Sequence, residues 1–244
     1  RGEACGGATL RRSPEGLGMG LLGSAVRQDG RSASLTAPNG QAQQGLITAA
    51  IRDAGTSAGS LSLNEAHGTG TALGDPIEAG SLAASVLLDR SLVEGDEILS
   101  VGGIKANIGH AEPAAGMTGL LKLVFGMCAS AAAPNAQLHM LNPHVGDRLR
   151  SCTTCMLPTQ PLGLHCGVND EAKGGVSSFG YAGTIVHMTV RKLWLGNHHE
   201  APQLVPSEEG SLRGYRLAPM YRRIGFAWYS PHPLAQRLQQ PRLA

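Results

Sequence analysis

The chain has 244 residues, a formal net charge of +2 and an aromatic content of 4%. Near-neutral charge and scarce aromatics lack the electrostatic footprint and stacking surfaces that a nucleic-acid binder needs. A hydrophobic share of 42% suffices for a real core, and 34 glycines, spread along the chain, imply many tight turns.

In chain order, "GEACGGATLRR" reads as a small-residue strand ending in charge, and "GLLGSAVRQDG" as a second strand closed by the Asp29-Gly30 turn. Asn39 is placed to cap a helix that runs to about Ala54. "LSLNEA" then leads into "EAHGTGTALGDPIEAG", residues 65–80. Here Asp75 is suited to N-cap a helix, Pro76 to its first position, and Glu78 to the reciprocal half of a capping box. That helix is expected to continue to about Asp89. "ILSVGGIKANIGH" reads as a buried strand running into a Gly-hinged loop, followed by a long buried helix from about Glu112 to Ala132. "GGVSSFGYAGTIVHMTVRKL" reads as a loop followed by a strand over "TIVHMTV". Strands alternating with helices predict a layered α/β fold. Beyond about Leu195 the pattern weakens into a linker, then a Pro-rich tail whose Tyr, Trp and Arg suit a docking strap.

Several motifs invite chemistry and do not support it. "GMGLLG" matches the glycine spacing of a dinucleotide site, but the next segment breaks at Gly30 and no acid follows at the required distance. Cys152 and Cys155 form a C-x-x-C pair near His165 and Cys166. Only one pair has knuckle spacing, and the other two candidates are adjacent, so no metal site is expected. The five cysteines, with Cys5 and Cys128, make an odd number without a visible signal peptide. They fit a reducing compartment, cytoplasmic or plastid, better than a disulfide framework. The longest apolar stretch, 114–133, is broken by Lys122 and glycines, so no membrane span is expected. A chain opening on Arg1 instead of Met reads as a piece of a longer protein.

Two segments carry histidines in loops leading to helices. His67, Thr69 and Thr71 share a glycine-hinged loop, the kind of segment that often carries function on a rigid scaffold. His110 precedes the helix start at Glu112-Pro113, where the helix dipole disfavours imidazolium and leaves a neutral N–H donor. Lys105 and Glu112 lie close enough along the chain to pair. Read alone, that segment serves equally well as a capping histidine beside a surface ion pair.

Read together, "EAHGTGTALGDPIEAG", "GGIKANIGHAEPAAG" and "GGVSSFGYAGTIVH" resemble, in this order, the C-terminal half of a β-ketoacyl synthase of the modular polyketide and type I fatty acid synthases. "RGEACGGATLRR", "APNGQAQQGLI" and "MLPTQPLGL" extend the resemblance over about residues 1–192, leaving 193–244 as linker and strap. The resemblance implies the C-terminal half of a thiolase-like α-β-α-β-α fold. It also implies decarboxylative Claisen condensation of an acyl thioester with a malonyl unit on an acyl carrier protein.

By motif position, His67 and His110 would stabilise the extender carbonyl as it gains charge. Lys105, with Glu112 in support, would maintain the active-site hydrogen-bond network. Thr69 and Thr71 would hold the phosphopantetheine arm, which is a substrate carrier and not a bound cofactor. Phe179 and Gly180 would form the gate at the acyl pocket, and His187 would be structural. The family's nucleophilic cysteine lies upstream of this chain, and Cys5 falls in a segment that follows it. The last motif departs from the family at Ala182 and Ile185, which touches tuning of the gate. A homodimer is implied for the complete domain, while the isolated piece is expected to expose an uncovered surface, to be poorly soluble and to be inactive. The alternative of another class is a non-condensing scaffold or dimerisation partner.

Overall fold

The computed structural model describes residues 2–12, 18–30, 37–90, 98–152, 154–164 and 171–193. The expected strap, with His165 and Cys166, lies outside these residues.

A six-stranded mixed sheet organises the chain. It contains β1 (Met19–Gln28), β2 (Leu61–Glu65), β3 (Leu99–Gly102), β5 (Cys155–Met156), β7 (Glu171–Phe179) and β8 (Thr184–Leu193), in the order β1-β8-β7-β2-β3-β5. β1, β8 and β7 run antiparallel, whereas β7, β2, β3 and β5 are parallel to one another. A small antiparallel pair, β4 (Ala131–Ala132) with β6 (Leu162–Gly163), lies apart from it.

The helices are α1 (Gly40–Asp53), α2 (Gly74–Leu82), α3 (Leu88–Arg90), α4 (Lys105–Ile108), α5 (Ala115–Cys128) and α6 (Pro143–Leu149). The Asn39 side chain accepts the Ala42 N–H and caps α1 as the sequence predicts. A π-helical turn over 83–87 joins α2 to α3. Two apolar clusters flank the sheet. Ile47 and Ile51 of α1 pack with Leu82, Val86, Leu87, Leu99 and Val101, while Leu123 and Met127 of α5 pack with Leu63, Val176 and Val190. Leu61 belongs to the first cluster and Leu63 to the second. The register shift between them lets one short strand feed both faces, because a bulge resets the side-chain alternation.

Four sequence expectations need correction. Residues 2–12 form no strand; Gly2 instead donates its N–H to the His110 carbonyl. "GGVSSF" is not a loop but the end of β7, where small residues fit because Leu123 and Leu63 press close. A Cβ on Gly174 would stand 2.7 Å from Leu123 Cδ1. The helix expected over 112–132 starts with a 3₁₀ turn at Glu112–Ala114 and closes at Ala129, with Ser130 in the left-handed region at φ 50°. It is also only half covered: α5 buries the single stripe Ala115, Gly119, Leu123 and Met127 and leaves Phe125 56% exposed. Finally, α2 begins one residue before Asp75, which reaches backward instead of capping.

Candidate active site

β2 delivers the first loop. Past Glu65 the chain turns through His67–Thr71, with Gly68 at φ 47° and Gly70 at φ 74°, backbone positions that penalise a side chain. The carboxylates predicted as caps hold this loop. Glu78 accepts the N–H groups of His67 at 2.7 Å and Gly68 at 2.9 Å, and Asp75 accepts that of Gly70 at 3.1 Å. Thr71 Oγ1 does the capping, accepting the Gly74 N–H at 3.1 Å and standing 3.3 Å from Thr69 Oγ1. Burial raises the Glu78 carboxyl to about 7, against the two amide donors that favour its ionised form.

Three further segments meet at His67. Lys105, opening α4, donates its ammonium to the His67 carbonyl oxygen and approaches Nδ1 at 3.4 Å. The Phe179 N–H points at the same Nδ1 from 3.3 Å, and the Phe179 ring lies 5.4 Å from the imidazole. The His110 ring stands edge-on at 5.9 Å. Burial first, then the Lys105 and His110 charges, depress His67 to about 3. His110 is lowered too, by desolvation and then by Lys105, with Glu112 opposing.

Both histidines are therefore neutral near pH 7, and their hydrogen bonds select the tautomer. His110 Nδ1 accepts the Glu112 N–H at 2.9 Å, and the donors around His67 converge on its Nδ1. In each ring the proton resides on Nε2, leaving two N–H donors free for an oxygen that gains charge. The Glu112 amide reaches back because that residue is held at φ 47°, a conformation of the kind that clusters at active sites. The predicted Lys105–Glu112 pair is replaced: the carboxylates that bear on Lys105 are Glu78, Glu65 and Asp75.

The structure thus brings His67, His110, Lys105 and Phe179 together, with Thr69 and Thr71 on the same loop. Gly180 opens the β7–β8 turn, its N–H bonded to the Thr184 carbonyl at 2.7 Å. A cavity of about 420 Å³ opens beside them, lined among others by Thr69, Asp75, Glu78, Lys105 and Leu141. His187 is buried, 2.9 Å from Ser177 Oγ and depressed to about 4 by desolvation, as a structural histidine would be. Ile185, two residues before it on β8, is fully buried. Cys152 joins the first apolar cluster, and burial pushes the Cys155 thiol up to about 11. Cys5 is exposed, and among the described residues no three His, Cys, Asp or Glu side chains gather into a metal site. No helix among those residues is long and apolar enough to cross a membrane.

Sequence reading missed Glu65 and Lys122. Glu65 is only 3% exposed in β2, and Lys122 pairs with it at 2.7 Å from within α5. The visible signals were a lone acid ending an otherwise uncharged strand and a lone lysine inside an apolar helix.

Comparison with known proteins agrees with this geometry. Residues 20–139 match the family model for the β-ketoacyl synthase C-terminal domain. The chain is 37% identical over 202 residues to a phenolphthiocerol/phthiocerol polyketide synthase of Mycobacterium tuberculosis, covering 79% of this chain and 9% of that protein. It is 40% identical over 194 residues to the mycoketide-CoA synthase of the same organism, covering 80% and 4%. Among solved structures, the oxazolomycin ketosynthase domain of Streptomyces albus superposes with a TM-score of 0.64 at 28% identity, covering 72% of this chain and 30% of that one. The ketosynthase of module 6 of the Bacillus subtilis bacillaene synthase gives 0.62 at 28%, covering 72% and 31%. The chain therefore spans under a third of a solved ketosynthase and a small fraction of the synthases it matches. With its thiolase-like layering and three ordered motifs, it belongs to the β-ketoacyl synthases, of which it carries the C-terminal domain of the polyketide synthase type.

Proposed function

We propose that this chain supplies the two-histidine part of a decarboxylative condensing centre acting on carrier-bound thioesters. The observation that carries the reading is the pair of neutral imidazoles, 5.9 Å apart, each with Nδ1 occupied as an acceptor and Nε2–H free. In the reaction, the bond between the malonyl α-carbon and its carboxylate breaks, carbon dioxide leaves, and the electron pair passes to the thioester carbonyl as an enolate. The enolate carbon then attacks the waiting acyl thioester, whose thiolate departs. His67 and His110 donate to the oxygen that becomes negative in the first step. Donors already aimed at the developing charge stabilise the transition state more than the ground state.

Lys105 fixes His67 by its carbonyl oxygen and adds to the burial that disfavours its imidazolium. Thr69 and Thr71 line the approach of a phosphopantetheine arm, and Phe179 with Gly180 gates the acyl side. Glu112 supports His110 through its backbone amide. The acylated cysteine would come from a region outside this chain, whose folded layers would also cover the exposed side of α5. An acyl carrier protein and a second copy of the complete domain are the partners this reading requires. Polyketide relatives favour polyketide over fatty acid synthesis. The intact histidine–lysine geometry favours an enzyme over the non-condensing scaffold.

The test is malonyl-carrier decarboxylation and condensation by the full-length protein, its carrier supplied. His67→Ala and His110→Ala should each abolish most of the rate, by about 10²–10³-fold for loss of an oxyanion donor. Unimpaired turnover in both variants would sink the reading.

A further inference from the structure

Behind the histidines lies a buried ion pair that the reaction itself does not use. Glu65 ends β2 two residues before His67, and its side chain is 4% exposed. One carboxylate oxygen takes the Lys122 ammonium at 2.7 Å, and the other accepts the Ile104 N–H. Ile104 immediately precedes Lys105. The neighbouring Gly103 N–H is taken by Asn135 Oδ1 at 2.9 Å, and Asn135 Nδ2 donates back to the Val101 carbonyl at 3.0 Å. The hinge between β3 and α4 is thus held at two consecutive amides by side chains from other elements.

Space for the pair is built into the backbone. A Cβ on Gly102 would stand 2.6 Å from Lys122 Nζ and 3.1 Å from a Glu65 oxygen, and one on Gly119 would stand 3.4 Å from Glu65 Cγ. A charge pair so enclosed needs close geometry to recover the cost of desolvation, and replacing it with apolar groups often stabilises a fold. Stability alone does not account for it.

Resting on the function proposed above, we propose that Glu65 and Lys122 are positioning residues for that chemistry. They fix the hinge that aims Lys105 at His67, and the Glu65 charge is among those that oppose the lowering of Lys105 by burial. The carboxylates that favour the Lys105 charge are Glu78, Glu65 and Asp75, and that charge in turn bears on His67 and His110. Burial raises the Glu65 carboxyl above its ordinary value, and the Lys122 ammonium and the Ile104 N–H oppose that rise.

The experiment uses the full-length protein carrying Glu65→Gln with Lys122→Met, which removes both charges and leaves no buried ion unpaired. Two readouts are taken. The first is the pH midpoint of Lys105 acylation by an amine-selective reagent, followed by mass spectrometry; it should move to lower pH. The second is malonyl-carrier decarboxylation, where kcat should fall about tenfold or more while KM stays within about threefold, because a small misplacement costs rate more than binding. Lys122→Arg, which keeps the charge, should recover most of kcat. An unchanged Lys105 midpoint, or kcat within about twofold of the parent, overturns the proposal. A parent that does not decarboxylate defeats the function proposed above and leaves the Lys105 midpoint to decide this one. If the double variant does not fold, Glu65→Gln alone carries both readings.

Discussion

Lys105 holds both the backbone and the ring of His67, donating to its carbonyl oxygen and standing 3.4 Å from its Nδ1. One cation therefore restrains the loop and opposes protonation of the imidazole. Because the Phe179 N–H meets the same nitrogen at 3.3 Å, the end of β7 and helix α4 converge on one atom of the loop that follows β2.

Replacing that cation separates the two effects. In Lys105→Met, the His67 midpoint should rise from about 3 but stay below 6.5, because burial is its larger cause. Decarboxylation should fall about 10–100-fold as the loop loses its anchor. Histidine-labelled NMR titration of the full-length protein checks the first expectation; a midpoint still near 3 would mean that Lys105 exerts no electrostatic hold on the ring.

Glu78 predicts an unusual dependence of stability on pH. Its carboxyl is raised from an ordinary 4.5 to about 7, so between those values the folded state binds the proton that the unfolded chain releases. Its contribution is fully present below pH 4.5 and is lost as pH rises through 7, about 3 kcal/mol in all. In Glu78→Gln this descent should disappear from urea-unfolding free energies measured between pH 5 and 8. A slope identical to that of the parent would show that Glu78 is not the titrating group.

The three long motifs made the site legible because each places its chemistry locally: a histidine, its glycines and the following helix sit within a few residues. Asn39 and β1 were readable for the same reason. Long-range relations were not. Asp75 and Glu78 have the spacing of caps, and only tertiary structure sends them back onto the His67 loop. "GGVSSF" lacks the bulky residues that announce a strand, since its glycines serve α5 packing above it. Glu65 and Lys122, 57 positions apart, carry no shared local pattern.

The two threonines of the first loop should part company when tested. Thr71 Oγ1 accepts the Gly74 N–H at the start of α2, so Thr71→Val should cost about 1 kcal/mol of stability, the usual effect of losing a cap. The Thr69 hydroxyl caps no backbone group; its hydrogen bond among the described residues is to Thr71 Oγ1. Thr69→Val should therefore leave unfolding within about 0.5 kcal/mol of the parent and raise KM for the carrier-bound extender. Equal stability losses in both variants would contradict this division.

Gly175 tests how tightly the strand behind the site is packed. A Cβ there would stand 2.8 Å from Asn64 Oδ1 and 2.9 Å from the His187 ring, which Ser177 holds at 2.9 Å and cannot release without losing a buried hydrogen bond. Gly175→Ala should therefore destabilise the fold by about 1–3 kcal/mol, the range for overpacking a filled core. The clash is specific, so it should be relieved when the ring is removed. The double variant Gly175→Ala with His187→Ala should be more stable, by at least about 0.5 kcal/mol, than the two single losses added together would make it. Strict additivity in urea unfolding would mean that the added methyl finds room without meeting His187.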